Sequence, residues 1–147
     1  MKGKIKITVL TEASYKDIIN IQKIDGWRHV YYLNENRLRE LSKRGEVFYG
    51  MYLDGIMIGF AGVDVEIRAR LHFLSIDNKY QKKGYGTLFV KELVKIMKTK
   101  NIKQMFFYVE EDSPYTIFLS KLGFIKVGFY KNRFGDGWDA DIFELKI

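Results

Sequence analysis

The chain has no cysteine, one proline and only two histidines among its 147 residues. Without cysteine it cannot form disulfide bonds, thiolate nucleophiles or cysteine-ligated metal sites, and this composition agrees with a reducing compartment. Two histidines are also too few for the usual structural metal sites. We therefore expect a protein that binds no metal.

Long hydrophobic runs are missing as well. No segment reaches the roughly 18 uninterrupted apolar residues that a membrane-spanning helix needs, and the first six residues lack the apolar stretch of a secretory signal. We expect a cytoplasmic protein with no membrane partner. A hydrophobic content of 47% over 147 residues predicts a single domain, residues 1–147, with a core of its own.

Acidic residues are outnumbered, which gives a formal net charge of +7. The imbalance lies before the last third, because residues 101–147 carry 6 basic and 7 acidic side chains. A basic surface attracts a polyanionic ligand such as a nucleotide cofactor, or nucleic acid; alternatively it only aids solubility. No nucleic-acid-binding motif accompanies the charge, so we expect no nucleic-acid partner.

Hydrophobic periodicity predicts an α/β order of elements. Strands are expected at 4–10, 47–53, 56–65, 70–76, 105–109, 125–130 and 141–146, and helices at 14–24, 31–42, 86–100 and 114–122. Asp54-Gly55 is a two-residue signal for a type I′ turn, which predicts an antiparallel hairpin. Met105 to Val109 is apolar throughout, as is typical of a strand buried on both faces. Residues 132–138 are expected to form a loop.

The most informative segment is 81–87, Gln-Lys-Lys-Gly-Tyr-Gly-Thr, which joins a predicted strand to a predicted helix. The first N–H groups of a helix lack intrahelical partners, the helix dipole is positive there, and glycine lets an anion approach the main chain. The segment therefore predicts a phosphate-binding turn, unless its glycines only make the turn. The dinucleotide fingerprint does not fit, because Phe89 occupies its third glycine position, and no P-loop lysine follows.

The element order and two glycine motifs together resemble the GNAT superfamily of N-acetyltransferases over nearly the whole chain. That superfamily carries Gln/Arg-x-x-Gly-x-Gly/Ala between its fourth strand and third helix, matched by residues 81–86. Its Leu-Gly-Phe at the end of the fourth helix is matched by residues 122–124. The resemblance implies an α/β GNAT fold, with a mixed central sheet of about six to seven strands flanked by about four helices.

The resemblance also implies acetyl-CoA as the acyl-donor co-substrate. The glycine turn would hold its pyrophosphate through backbone N–H groups, and the fourth strand would pair with its pantetheine arm as with an added strand. The residues assigned to acetyl-CoA in this way are Leu74, Ser75, Ile76, Gln81, Lys82, Lys83, Gly84, Tyr85, Gly86 and Thr87.

The chain departs from the superfamily at the proton donor. Many members have a tyrosine four residues before the glycine of the second motif, where this chain has Leu119. Tyr115 lies one helical turn earlier, so its hydroxyl is a substitute candidate, unless its ring simply packs on the sheet. Some relatives place a glutamate on the fourth strand as the general base. This chain has Arg70 at that position, and a guanidinium group cannot accept a proton. His72 and Glu110 are the candidate bases, although either could be structural or solvated instead.

The implied reaction is direct attack of a primary amine, from a small molecule or a peptide N-terminus, on acetyl-CoA. Trp27, Tyr31, Arg70 and Glu111 are the candidate acceptor-binding residues. Glu111 suits a cationic amine, whereas Arg70 suits an acceptor that also carries a carboxylate or phosphate. Because the usual tyrosine is missing, the alternative is a non-catalytic domain that binds acetyl-CoA as a sensed ligand. The resemblance also makes a homodimer through the C-terminal strands possible.

Overall fold

The computed structural model describes residues 3–25 and 33–147. Within these ranges the chain forms one seven-stranded mixed sheet, four α-helices and two short 3-10 helices. The strands are β1 (Ile5–Val9), β2 (Val47–Leu53), β3 (Ile56–Val65), β4 (Ala69–Ile76), β5 (Gln104–Glu110), β6 (Ile125–Gly135) and β7 (Trp138–Lys146). The α-helices are α1 (Tyr15–Asp25), α2 (Glu35–Lys43), α3 (Tyr85–Thr99) and α4 (Pro114–Lys121). The predicted α/β class and mixed sheet are confirmed.

The sheet has the order β1-β2-β3-β4-β5-β7-β6. Its pairs are antiparallel except for β4 and β5, which are parallel and connected through α3. These two central strands are paired only at Ala69–Met105 and Arg70–Phe106. Beyond that point they separate, so the middle of the sheet contains an open gap.

Hydrophobic side chains fill both faces of the sheet. On one face α3 buries Phe89, Leu93 and Met97 completely, at the four-residue spacing of a single helix face. On the other face Ile18 of α1 and Leu38 of α2 are fully buried in a cluster with residues of β2, β3 and β4. The gap between β4 and β5 therefore lies between two packed layers.

The predicted hairpin between β2 and β3 is confirmed at its predicted bounds. Asp54 and Gly55 both have positive φ, +49° and +85°, as a type I′ turn requires. The Asp54 carboxylate also accepts a hydrogen bond from the backbone N–H of Lys4 at 2.8 Å, which joins the turn to the start of the chain.

Two predictions about the last strands were wrong. Residues 132–138 do not form a long loop, because β6 continues to Gly135 and β7 begins at Trp138. Polar side chains support this longer hairpin: Asn132 donates its backbone N–H to Asp139 Oδ1 at 2.8 Å, and its own Oδ1 accepts from the Gly137 N–H at 2.9 Å. β5 is not buried on both faces either, since its alternate residues are only half-buried.

The second helix begins later than its pattern predicted. α2 starts at Glu35, after Asn34, whose side chain accepts a hydrogen bond from the backbone N–H of Arg37 at 2.8 Å. This is an N-cap, and it fixes the first turn of the helix. The earlier part of the predicted helix, from residue 31, includes residues outside the described ranges.

Candidate active site

A cleft of about 1610 Å³ opens where β4 and β5 separate. β4, the turn before α3, the end of β5, α4 and α2 all contribute to its walls. Most of the residues predicted from sequence line it: Leu74, Ile76, Gln81, Lys82, Gly84, Gly86 and Thr87 from the co-substrate set, together with His72, Tyr115, Glu110, Arg70 and Glu111.

Three of the predicted residues that the structure describes are not in the cleft wall. Ser75 is 1% exposed and pairs with Phe60 of β3. Tyr85 is buried in the core, and its ring contacts Tyr80 edge to face. Lys83 is exposed, with its Nζ 6.0 Å from the centre of the Tyr80 ring. Trp27 and Tyr31 lie outside the described residues. Tyr85 can therefore contribute to the cleft only through its main chain.

The glycine turn leads directly into α3. Gly84 is the residue before the helix, with φ of +89°, and a Cβ atom there would meet nothing within 4 Å. Lys82 also has a positive φ, +60°. The conformation turns the chain sharply into the helix and leaves open space beside its first N–H groups. An anion can approach the helix N-terminus from the cleft at this point.

The edge of β4 that faces the gap offers backbone hydrogen-bonding groups. Asp77 donates its N–H to the Ile58 carbonyl of β3, so the alternation of an antiparallel pair directs Leu74 and Ile76 away from β3. The Tyr115 hydroxyl donates to the Leu74 carbonyl at 3.4 Å, and Gln81 Nε2 donates to the Ile76 carbonyl at 2.8 Å. Both carbonyls thus point into the gap, where an extended ligand could pair with them.

Tyr115 reaches the gap from α4, and Leu119 does not. Leu119 is completely buried in the core, whereas Tyr115 is 38% exposed. The Tyr115 ring lies 6.2 Å from the Phe107 ring and 6.2 Å from the Phe118 ring, measured between centroids. These contacts hold the ring at the gap, and its hydroxyl is the phenol that α4 supplies to the cleft.

A β-bulge presents His72 in the cleft wall. Phe73 is paired with Gly62 of β3, but the next pair joins Leu71 to Val63, so His72 is an extra residue in β4. The bulge places the His72 and Phe73 rings together, with centroids 3.9 Å apart, although successive side chains of a regular strand point to opposite faces. Bulges are common next to active sites because they redirect a side chain.

His72 belongs to a group of four charged or polar side chains. Its Nδ1 lies 2.7 Å from Glu46 Oε1 and 3.5 Å from Arg70 Nη2. The same Arg70 nitrogen donates to Asp64 Oδ2 at 3.2 Å. Arg70, predicted to bind an anionic group of the acceptor, is therefore already paired with a carboxylate of this chain.

Glu46 is the site residue that sequence reasoning missed. It lies immediately before β2, its side chain is only 2% exposed, and it lines the cleft. A glutamate between a helix and an apolar strand usually indicates a solvated turn. Its partner His72 is 26 residues away, on a strand that no local pattern pairs with it. No signal in the sequence could have identified Glu46.

The opposite wall carries Glu110 and Glu111. Glu110 is the last residue of β5, and Glu111 follows it in an exposed turn, where its N–H donates to the Asp139 carbonyl at 3.2 Å. The structure thus places one candidate base, His72, on the β4 side and the other, Glu110, on the β5 side. In the described part of the chain no group of three His, Asp or Glu side chains could hold a metal ion. None of the described helices is long and apolar enough to cross a membrane.

The sequence model of the Acetyltransferase (GNAT) family matches residues 13–124. Among solved structures, the ribosomal-protein-S18-alanine N-acetyltransferase from Escherichia coli is 20% identical, with a TM-score of 0.84 over 98% of this chain and 94% of that one. The PaiA N-acetyltransferase from Thermoplasma acidophilum, in complex with coenzyme A, is 24% identical, with a TM-score of 0.78 over 98% and 99% of the two chains.

A GNAT family acetyltransferase from Elizabethkingia anophelis with acetyl-CoA bound is 16% identical, with a TM-score of 0.78 over 99% of this chain and 100% of that one. At these identities the likenesses show a shared fold. No curated protein matches the sequence.

Proposed function

The chain belongs to the acetyltransferase (GNAT) family, and on that premise we propose that it is an N-acetyltransferase that uses acetyl-CoA. The acceptor in this proposal is a primary amine of a small molecule or of a peptide N-terminus. The observation that carries the proposal is the gap between β4 and β5, which has an anion-binding turn at one end and acid–base side chains in its walls.

The N-terminus of α3 is the proposed binding site for the pyrophosphate. Gly84 leaves open space beside the backbone, Gly86 lines the cleft, and the N–H groups of the first helical turn supply directed donors. Lys82 lines the same part of the cleft, and exposed Lys83 adds positive charge nearby. The coenzyme A and acetyl-CoA complexes of the two structural relatives support this choice of co-substrate.

The exposed edge of β4 is the proposed binding site for the pantetheine arm. An extended arm would pair with the backbone of Leu74 and Ile76 as an added strand does. Tyr115 and Gln81 now donate to these carbonyls, so their side chains would exchange partners when the arm binds.

The chemistry needs a base for the acceptor ammonium and an acid for the leaving sulfur. We assign the base to His72, which would take one proton from the ammonium group. The neutral amine then attacks the thioester carbon, a C–N bond forms and the C–S bond breaks. The Tyr115 hydroxyl would give its proton to the sulfur and regain one from the amide nitrogen through water. Glu110, on the opposite wall, is the second candidate base.

Acceptor binding is assigned to both walls of the cleft. Glu111 would attract a cationic amine at the β5 side. Arg70 would act with its partner Asp64, so it favours acceptors that carry their own polar group near the amine. Trp27 and Tyr31 stay predictions from sequence. A cytoplasmic, single-domain protein fits this function and the lack of cysteine.

A homodimer is proposed through the edge of the sheet. β6 is an edge strand, and its residues Ile125, Val127 and Phe129 are 68%, 57% and 50% exposed. A second copy could cover these exposed apolar side chains by packing against this edge of the sheet.

Thiol release from acetyl-CoA tests the proposed function. The panel contains small amines, amino acids and peptides with a free N-terminus, each peptide matched with its N-terminally blocked form. Calorimetry on the same sample measures acetyl-CoA binding. Turnover of an amine but not of its blocked form supports the transferase. Tight binding without any turnover favours the sensing alternative, for which the buried Leu119 at the usual tyrosine position is the argument. Absence of binding contradicts both.

A further inference from the structure

The buried carboxylate of Glu46 and the imidazole of His72 form a pair in the cleft wall. We propose that Glu46 is a positioning residue, which holds His72 in the tautomer that has its proton on Nδ1 and leaves Nε2 to accept a proton from the acceptor. This inference rests on the proposed function and adds to it a residue that the sequence did not indicate.

The hydrogen-bond geometry determines which ring nitrogen carries the proton. Glu46 Oε1 lies 2.7 Å from His72 Nδ1, and a carboxylate oxygen can only accept a hydrogen bond. Nδ1 must therefore donate, so the lone pair of the neutral ring is on Nε2. Arg70 Nη2, at 3.5 Å from the same Nδ1, cannot use that nitrogen as an acceptor. The shorter contact with Glu46 sets the tautomer.

The surroundings of Glu46 fix its side chain. Its backbone N–H donates to the Leu41 carbonyl of α2 at 3.0 Å, which anchors the residue at the end of the helix. Its Oε2 lies over Gly62, where a Cβ atom would come within 2.7 Å of it. Phe48 and Phe73 crowd the same glycine, with ring carbons 3.0 and 2.8 Å from that position. The carboxylate therefore has little room to adopt another orientation.

The second oxygen of Glu46 is an unusual feature that the proposal explains. Oε2 is buried and has no hydrogen-bond partner among the residues that the structure describes. A buried carboxylate oxygen without a partner is costly, so its retention needs a reason. When His72 takes a proton, the ring gains a positive charge next to this carboxylate. The two opposite charges then stabilise each other. Glu46 is placed where such a charge develops.

The bulge in β4 completes the arrangement. As the extra residue of the bulge, His72 has its ring packed against Phe73 while its side chain stays 19% exposed. Nδ1 is used by Glu46, so the proton-accepting nitrogen is the one left for the cleft. The Phe73 ring on one side and the Glu46 carboxylate on the other hold the imidazole, so Nε2 stays in place without the acceptor's help.

Coupled substitutions test whether Glu46 acts through His72. We expect Glu46→Met to lower kcat at least about tenfold, with the KM for acetyl-CoA within about twofold of wild type. His72→Ala should lower kcat at least as much. The double variant should be no slower than His72→Ala alone, because residues that act as a unit are not additive. Glu144→Gln is the matched control, since that carboxylate is 15% exposed, pairs with Arg68 at 3.4 Å and lies outside the cleft.

Two kinetic outcomes overturn the proposal. One is a Glu46→Met variant with wild-type melting temperature and wild-type kcat. The other is a double variant whose loss is the product of the two single losses, which means independent roles. If Glu46→Met does not fold, Glu46→Gln replaces it, because the amide keeps the shape and an acceptor oxygen but removes the charge. It should lower kcat at least about threefold, because the ring then takes its proton with no negative charge beside it. An unchanged kcat contradicts the role of this charge, and the ring tautomer of the wild type, measured by nitrogen-15 NMR, decides the positioning role.

Nitrogen-15 NMR of the imidazole gives a readout that needs no turnover. The chain has only two histidines, so a His29→Gln variant assigns the His72 signals. We expect the neutral His72 ring to carry its proton on Nδ1 in the wild type and to lose that preference in Glu46→Met. A wild-type ring protonated on Nε2 overturns the proposal even in an active enzyme. An absence of amine turnover with the Nδ1 tautomer intact would contradict the proposed function and leave the Glu46–His72 arrangement supported.

Discussion

At the scale of single residues, the Tyr115 hydroxyl is the proposed acid for the leaving sulfur. Tyr115→Phe removes this proton but keeps the ring, which contacts Phe107 and Phe118. We expect kcat to fall about 100-fold, a typical contribution of a positioned general acid. The KM for acetyl-CoA should change less than threefold, because the hydrogen bond of this hydroxyl to the Leu74 carbonyl is given up in any case when the pantetheine arm binds. Steady-state thiol release measures both quantities.

Tyr130→Phe is the control for that substitution. Tyr130 is 47% exposed on β6, and its ring contacts Tyr108 edge to face with 5.7 Å between centroids. Loss of its hydroxyl should leave kcat at the wild-type value. If Tyr115→Phe also keeps the wild-type kcat from pH 6 to 9, Tyr115 is not the acid, and a water molecule becomes the better candidate.

Single residues could be predicted from sequence where helical spacing alone decides their placement. The position of Tyr115 at the gap, one turn before a buried Leu119, follows from the four-residue period of α4. Glu46 could not be predicted in this way. Its role depends on a bulge in β4 and on a partner 26 residues away, and neither leaves a local pattern.

At the scale of elements, the N-terminus of α3 should bind phosphate through its backbone. Gly84→Asp places a carboxylate at this N-terminus, and we expect it to weaken acetyl-CoA binding at least about 100-fold by charge repulsion. Gly84→Asn is the matched variant, because asparagine has the same shape and the same need to adopt φ near +89° but carries no charge. Calorimetry on both variants separates the effect of charge from that of backbone strain.

The comparison of Gly84→Asp with Gly84→Asn shows whether charge repulsion or backbone strain weakens acetyl-CoA binding. Asparagine tolerates the left-handed region, and the space around Gly84 is open, so Gly84→Asn should bind acetyl-CoA within about tenfold of wild type. Equal losses in folded Asp and Asn variants would indicate strain or a steric effect and no anion at the turn. Wild-type binding by Gly84→Asp would remove the turn from the site altogether.

The bounds of a strand could be predicted from sequence where apolar runs and a turn motif agree. They could not be predicted where polar residues and glycines interrupt the strand. β2 and β3 match their predicted bounds because two runs of mainly apolar residues flank an Asp-Gly turn. The hairpin of β6 and β7 was predicted too short because residues 132–137 are polar or glycine, except for one phenylalanine. Side-chain hydrogen bonds of Asn132 and Asp139 stabilise that region as strand, and composition does not reveal such bonds.

At the scale of the whole molecule, the separation of β4 and β5 is what creates the site. The sequence predicted both strands and the helix between them, and the family resemblance implied that the fourth strand would pair with the pantetheine arm. Their two-residue pairing at Ala69 and Arg70 depends on packing against both layers and on the β5–β7 pairing. These contacts are long-range, so only the structure could show where the gap begins and which side chains reach it.

The stability of the whole fold should depend on pH through Tyr49, in the second strand of the sheet. Tyr49 is 3% exposed, and burial raises the pKa of its hydroxyl above the ordinary value of about 10. In the unfolded chain the phenol ionises first as the pH rises, so the unfolded state loses its proton while the folded state keeps it. The stabilisation is complete below about pH 10 and is lost above it, with a slope of at most about 1.4 kcal/mol per pH unit.

Urea unfolding of the wild type and of Tyr49→Phe, at pH 8 and pH 10.5, tests this dependence. The lysines and the other tyrosines ionise in both proteins, so their contributions cancel in the comparison. We expect the wild type to lose more unfolding free energy between the two pH values than Tyr49→Phe does, because phenylalanine has no proton to lose. Equal losses would mean that the Tyr49 hydroxyl ionises alike in the folded and unfolded chains. Since Tyr49 pairs with Val9 of β1 and Ala61 of β3, an effect of the expected sign would also show that this half of the sheet unfolds together with the rest of the molecule.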